Sequence, residues 1–324
     1  MSLLPYVQAL ARGPGRSRHL TREEAADALG QIMAGTAVPE AAGAVLMLLR
    51  YRGENADEIA GFVDALRDEA GDWPQPALDW PSYAAGRTRG LPWFLLAARL
   101  VARAGYPVML HGWNSHQAEA ASVTAALDGL QIPSAADPDT AAAALEAGGI
   151  VYLPLGEVCP AALRVLRLRE VLGLRSPINT ALRLFNPGKA AASVQGVFHP
   201  PYLKLQEDSG LALGQPALTV IKGGGGEFER TPTKAMALFG LRDGQPMDMT
   251  APALMPDVTG RLAEGPALVE PRDLAALWSG EAEDAFASAI VTGTAALALF
   301  TLGAAPNVEA AQSLAESLWA ARNA

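Results

Sequence analysis

The 324-residue chain has a single cysteine, Cys159, and four scattered histidines. One cysteine excludes an intramolecular disulfide and any cysteine-based zinc site, and it suits a reducing cytosol. His19, His111, His116 and His199 stand at no metal-ligand spacing. Long apolar runs are missing as well. The most apolar stretch, Ile290–Leu302, covers 13 residues; it is too short to span a bilayer and reads as a buried helix. No basic segment followed by an apolar one opens the chain, so no secretory signal is expected. The expectation is a cytoplasmic protein without membrane contact.

Basic charge is also scarce, with a formal net charge of −9, which taken whole argues against a nucleic-acid partner. The charge is uneven, however. Residues 1–82 carry 7 basic and 12 acidic side chains, and residues 235–324 carry 4 and 11. Residues 83–234 carry 14 and 11. Within them, Arg164, Arg167, Arg169, Arg175, Arg183, Lys189 and Lys204 face Glu170 alone over Pro160–Gln206. That strip is either a set of solvated helix faces or an anion-binding surface.

At roughly 100–200 residues per domain, the length suggests two domains. The first seventy residues read as helices. Thr21 with Glu24 forms a capping box, Pro39 opens a second helix, and Asn55 caps a third carrying Ile59, Phe62, Val63 and Leu66 at threes and fours. Residues 40–66 carry more apolar residues than one face buries, which suits either a dimer interface or burial within the chain. The Trp/Pro-rich stretch Asp72–Pro81 reads as a hinge. Beyond it, strands at 108–110, 150–153 and 217–221 alternate with Ala-rich helices, one expected over 117–127. The fold class is therefore α/β: a helical domain over 1–72, joined by helices from about 160–185, and an α/β domain over 73–324. Its central sheet is mixed and mostly parallel. Ligands on such sheets sit beyond the carboxyl ends of the strands, near Gly86–Gly90, His111–Gly112 and Lys222–Glu229.

Several segments recur in one family order: Leu20–Ala25, Asp57–Phe62, His111-Gly112, Leu174-Arg175, Phe185-Asn186-Pro187 and Lys222–Gly226. Together they resemble glycosyltransferase family 3, with its nucleoside phosphorylase and anthranilate phosphoribosyltransferase fold, over nearly the whole chain. The runs Gly86–Phe94, Leu172–Thr180, Gly196–Pro200 and Lys222–Glu227 are similar to those of a nucleic-acid-binding subgroup, the YbiB type.

Active family members bind phosphoribosyl diphosphate through a Gly-Thr-Gly-Gly-Asp loop, an Asn-x-Ser-Thr helix start and a Lys-His-Gly-Asn run. On the register set by His111-Gly112, the loop corresponds to Tyr83–Arg87, so Arg87 replaces the Asp. The Asn, Ser and Thr fall near Trp93, Leu95 and Leu96, the Lys becomes Leu110 and the last Asn becomes Trp113. An apolar Leu cannot replace a phosphate-binding cation, so the departures imply that phosphoribosyl transfer is lost and that no residue is catalytic. Arg175 falls where the resemblance puts the acceptor-binding arginine; the other reading is an ion pair within the helical layer. Glu227 and Glu229 flank the position of the acidic pair that binds magnesium, or else form a solvated loop edge. Binding itself requires no cofactor; magnesium would enter only with phosphoribosyl diphosphate.

The remaining candidates divide in two. Ligand- or phosphate-binding candidates are Gly86, His111, Gly112, Asn179, Lys222, Gly223, Gly224 and Gly225. His111 reads equally as a packed residue, and the glycine run as an anion-binding nest or a flexible loop. Nucleic-acid-binding candidates are Arg87, Arg89, Arg164, Arg167, Arg169, Arg183 and Lys189, with Trp93, Trp113, Phe198 and Tyr202 available for stacking or for the core. The expected partners are single-stranded nucleic acid or a small anionic ligand, and a second copy bound through the helical domain. The alternative function is an active phosphoribosyltransferase on another acceptor.

Overall fold

The structure, a computed structural model, describes residues 2–13, 15–83, 90–113, 121–259 and 265–323. Four helices open it: α1 (Leu4–Ala11), α2 (Arg22–Met33), α3 (Pro39–Arg52) and α4 (Ala56–Ala70). Thr21 and Asn55 each close a capping box, with Glu24 and Glu58. Each box satisfies two backbone donors that the helix start leaves orphaned. Glu58 is almost fully buried, and its carboxylate also accepts the N–H of Leu20 at 2.9 Å. The cap of one helix thereby fixes the entry to another.

Seven strands form a single sheet in the order β3-β2-β1-β4-β5-β6-β7. They are β1 (Leu78–Ser82), β2 (Val108–Gly112), β3 (Ile150–Pro154), β4 (Ala192–Val197), β5 (Ala217–Lys222), β6 (Met236–Arg242) and β7 (Gln245–Ala251). The first five in spatial order run parallel, and β6 and β7 are antiparallel. The expected mixed, mostly parallel sheet is therefore present. The stretch read as a hinge ends in β1, an interior strand of the sheet between β2 and β4, despite Pro81. Pairing of β1 with β4 stops at Asp79, whereas pairing with β2 continues to Gly112. The ladder on the β4 side thus ends before the residue that has no N–H to give.

Helices α5 (Phe94–Arg103), α13 (Asp273–Ser279), α14 (Ala285–Thr301) and α15 (Val308–Ala320) cover one face. The 290–302 stretch lies within α14, which packs on α5 and α15 and touches β4 and β5. Between α5 and β3 come α6 (Val123–Leu127) and α7 (Pro138–Gly148). The α6 helix occupies only the end of the expected 117–127 helix, whose start lies outside the described residues. On the other face, α12 (Pro201–Ala212) packs against β5, β6 and α4. The helices α8 (Leu155–Val158), α9 (Pro160–Arg167), α10 (Arg169–Leu172) and α11 (Ile178–Ala181) follow β3. Of these, α9 packs on α2, and α11 on α4 and α9. Among the described residues, no helix is long and apolar enough to cross a membrane.

The β4 strand passes close to the main chain that follows the glycine run. A Cβ on Gly196 would lie 2.0 Å from the carbonyl carbon of Glu227 and 2.5 Å from the nitrogen of Phe228. Backbone cannot yield as a side chain does. Gly196→Ala is therefore expected to destabilise the fold by about 3 kcal/mol or more, at the upper end of overpacking costs. Urea denaturation checks this; a loss below about 1 kcal/mol would contradict it.

Candidate functional site

A cavity of about 420 Å3 opens between the helical layer and the segment joining β4 to α12. Arg50 at the end of α3 and Glu54 just beyond it form one wall. Arg169 from α10, Arg175, and Asn179, Thr180 and Arg183 around α11 form the second. Phe198, His199, Tyr202 and Gln206 close the third. The lining therefore holds four arginines and one carboxylate.

Neither Arg169 nor Arg175 has a hydrogen-bond or ion-pair partner among the described residues. Both are half-buried. Burial, and then the charges of Arg169 and Arg50, hold the Arg175 guanidinium below its usual pKa range. Partly desolvated guanidinium groups crowded by their own kind favour an anion. Arg50 donates to the Tyr202 hydroxyl across the cleft, and burial raises the Tyr202 phenol. Glu54 is nearly buried and accepts from Thr180 Oγ1 at 3.5 Å. Desolvation raises its carboxyl, which reduces its negative charge in the cleft.

Arg183 faces the cavity but is spent on main chain. It donates to the carbonyls of Gly196 at 2.9 Å, Asn179 at 2.6 Å and Tyr83 at 3.3 Å. Burial lowers its pKa. Arg164 and Arg167 are exposed on α9, outside the cavity lining. Arg164 donates to the Met33 carbonyl at the end of α2, and Arg167 reaches Glu170 at 3.3 Å. Lys189 pairs with Asp72 in a depression also lined by Asp64 and Asp68, so the fold separates it from the arginine cleft. Gly86, Arg87, Arg89 and His116 lie outside the described residues.

The segments that the sequence resemblance assigns to phosphate binding lie at the start of α5 and after the glycine run. Glu229 accepts the Phe94 N–H at 3.0 Å, at the start of α5. The next two N–H groups of that helix, from Leu95 and Leu96, bond the carbonyls of Pro92 and Trp93. A helix N-terminus attracts anions through its free N–H groups; here a buried carboxylate and two main-chain oxygens already use them. Glu227 accepts from Ser82 Oγ at 2.9 Å, and both glutamates are fully buried. Magnesium usually keeps several of its waters, whereas both carboxylates are closed off from solvent and each accepts a hydrogen bond from the protein, Glu227 from Ser82 and Glu229 from Phe94. The pair does not fit that ion. Nor, among the described residues, does any group of three or more His, Cys, Asp or Glu side chains form a metal site.

The other candidates are mostly packed. His111 is buried between Asp79, 3.0 Å from Nε2, and the Tyr83 hydroxyl, 2.8 Å from Nδ1. Burial raises the Tyr83 phenol well above its ordinary pKa. Gly112 has no room for a side chain, since a Cβ would meet the Ser82 carbonyl oxygen at 2.2 Å. At Gly223 it would meet that of Glu227 at 1.7 Å. Gly224 and Gly225 belong to a tight turn ending at buried Gly226, and Lys222 is exposed before it. The run is thus a close turn around Glu227. Trp93 lies in the core, Trp113 at its margin, and Phe198 and Tyr202 in the cleft.

Sequence reasoning missed Arg50, Glu54 and Gln206. Arg50 sits in the last turn of an amphipathic helix, where a basic residue is ordinary. Its partner Tyr202 lies 152 positions away, and no local signal links the two.

A helical bundle stands against a mostly parallel sheet domain, with a ligand-sized cavity between them. Residues 4–70 match the helical bundle domain of the glycosyl transferase family. The anthranilate phosphoribosyltransferase of Methanosarcina barkeri is 30% identical, over 96% of this chain and 85% of that one. Its counterpart from Thermus thermophilus superposes with a TM-score of 0.82 at 26% identity, covering 98% of this chain and 95% of the other. The Saccharomyces cerevisiae enzyme, in complex with PRPP and Mg, has a TM-score of 0.77 at 15% identity, over 99% and 94%, a likeness of fold alone. The chain belongs to the anthranilate phosphoribosyltransferase family.

Proposed function

We propose that this family member binds single-stranded nucleic acid at the arginine-lined cleft and has lost phosphoribosyl transfer. The observation that carries binding is the pair Arg169 and Arg175, half-buried guanidinium groups facing a cavity without an anionic partner among the described residues. Arginine neutralises phosphate and stacks on bases. The exposed Arg164 and Arg167 extend the basic surface along the chain from Arg169, which suits a polymer and the nucleic-acid-binding subgroup that the sequence resembles. Loss of transfer rests on Leu110 at the lysine position, buried in the core, and on Glu229 at the α5 N-terminus.

A second reading has a specific observation in its favour. Arg175 lines the cleft at the position of the family's acceptor-binding arginine, and the relatives are named as phosphoribosyltransferases. That reading is transfer to another acceptor, with magnesium bound alongside phosphoribosyl diphosphate as in the yeast complex. Two parallel assays separate them. Binding of a labelled oligonucleotide at low salt, without pyrophosphate release from phosphoribosyl diphosphate, is expected. Pyrophosphate release without oligonucleotide binding would reverse the conclusion.

Self-association through the helical layer belongs to the same proposal. Most large apolar residues of 40–66, including Val45, Leu46, Leu49, Phe62 and Leu66, are buried within the protomer. They are not the surplus apolar surface that the sequence suggested for an interface. Leu4, Val38 and Tyr51 are instead exposed on that layer. Sedimentation at micromolar concentration is expected to give a dimer, and a monomer alone would contradict it.

A further inference from the structure

The third wall of the cavity is aromatic. Phe198 is 46% exposed, unusual for so large an apolar ring, and His199 meets it edge-on at 4.8 Å between ring centroids. Gly226 stands close to the base of this residue, where a Cβ would lie 3.4 Å from Phe198 N and 3.5 Å from its Cβ. Phe198 lines the cavity together with Arg169 and Arg175, which have no hydrogen-bond or ion-pair partner among the described residues. The volume lies within the ~300–1,000 Å3 of ordinary small-molecule sites, so the cavity holds a compact unit and no length of polymer.

We propose that this cavity takes one nucleotide of the bound strand, its base against Phe198 and its phosphate between Arg169 and Arg175. The inference rests on the nucleic-acid reading and adds to it a discrete aromatic-anion pocket. Phosphate alone satisfies the arginines but leaves the Phe198 ring wet; a nucleotide covers both. Base–aromatic stacking is worth roughly 1–3 kcal/mol per base, and about 1.4 kcal/mol is a tenfold change in Kd.

Calorimetric titration of the full chain with 5′-AMP, ribose 5-phosphate and anthranilate tests this. AMP is expected to bind at least tenfold more tightly than ribose 5-phosphate, and Phe198→Ala to bring that ratio to about one. Arg175→Ala should weaken both phosphates together and leave the ratio standing. Equal affinity for the two phosphates, or binding of anthranilate without AMP, would overturn the pocket. Oligonucleotide titrations on the same proteins keep the two claims apart. If oligonucleotides bind wild type and Phe198→Ala alike while AMP does not bind, the pocket fails and the nucleic-acid reading stands. If AMP binds with the expected ratio and oligonucleotides do not, the pocket stands and the polymer reading fails.

Discussion

Incubated with phosphoribosyl diphosphate, magnesium and anthranilate, the chain is expected to form no phosphoribosyl anthranilate above a control without protein. Transfer needs the diphosphate held by cations and free N–H groups while its bond to the ribose breaks. Leu110 lies in β2 with no exposed surface, packed in the core that includes Trp80 and Tyr152. A lysine there would meet that core and no phosphate, so Leu110→Lys should destabilise the fold without restoring activity. The α5 N-terminus offers nothing in compensation, because Phe94, Leu95 and Leu96 have already committed their N–H groups. Enzymes accelerate their reactions by about 10^6-fold or more, so even a much impaired transferase would be detected. Product that scales with protein concentration would contradict the expectation.

The double replacement of Arg169 and Arg175 by Ala is expected to weaken oligonucleotide binding by a hundredfold or more. Hydrogen bonds to charged groups contribute roughly 1.5–3 kcal/mol each, and neither guanidinium bonds to protein among the described residues. Their removal therefore breaks no hydrogen bond or ion pair among the described residues. Arg183→Ala is a poorer probe, since three main-chain carbonyls would lose a donor. Arg322 serves as the control for lost main-chain ties: its guanidinium likewise bonds three carbonyls, those of Leu277, Trp278 and Trp319, but outside the cleft lining. Arg322→Ala should leave affinity unchanged. Equal affinity of the double variant and wild type would contradict the assignment of the cleft.

Much of this architecture was legible in the chain. The Thr21–Glu24 capping box, the Asn55 cap and the strands β2, β3 and β5 followed from local patterns that the structure repeats, and the structure completes the Asn55 cap into a second box with Glu58. The β1 strand was not legible, because Trp80-Pro81 carries the marks of a hinge and only the early end of pairing with β4 makes the proline tolerable. The β6–β7 hairpin did carry a signal that went unused. Asp243-Gly244 joins the strands, and both residues have positive φ, 51° and 71°, as a two-residue hairpin turn requires. The site was harder. Arg175, Asn179, Phe198 and Tyr202 were read individually, whereas their meeting with Arg50 and Glu54 depends on a long-range contact, that of Arg50 at the end of α3 with Tyr202 in α12. The buried state of Glu227 and Glu229 was likewise invisible, because their partners Ser82 and Phe94 are more than a hundred positions away.

The central claim is that the cleft binds the phosphate backbone of a single strand. It is tested most directly by the anisotropy of a labelled single-stranded oligonucleotide, titrated with the wild-type chain over a series of salt concentrations. Log affinity is expected to fall linearly with log salt, with a slope of roughly −0.7 for each phosphate contacted. The one phosphate held between Arg169 and Arg175 predicts a slope of about −0.7, steeper where further phosphates of the strand meet the exposed Arg164 and Arg167. Absence of binding at the lowest salt, or an affinity that does not change with salt, would contradict the claim.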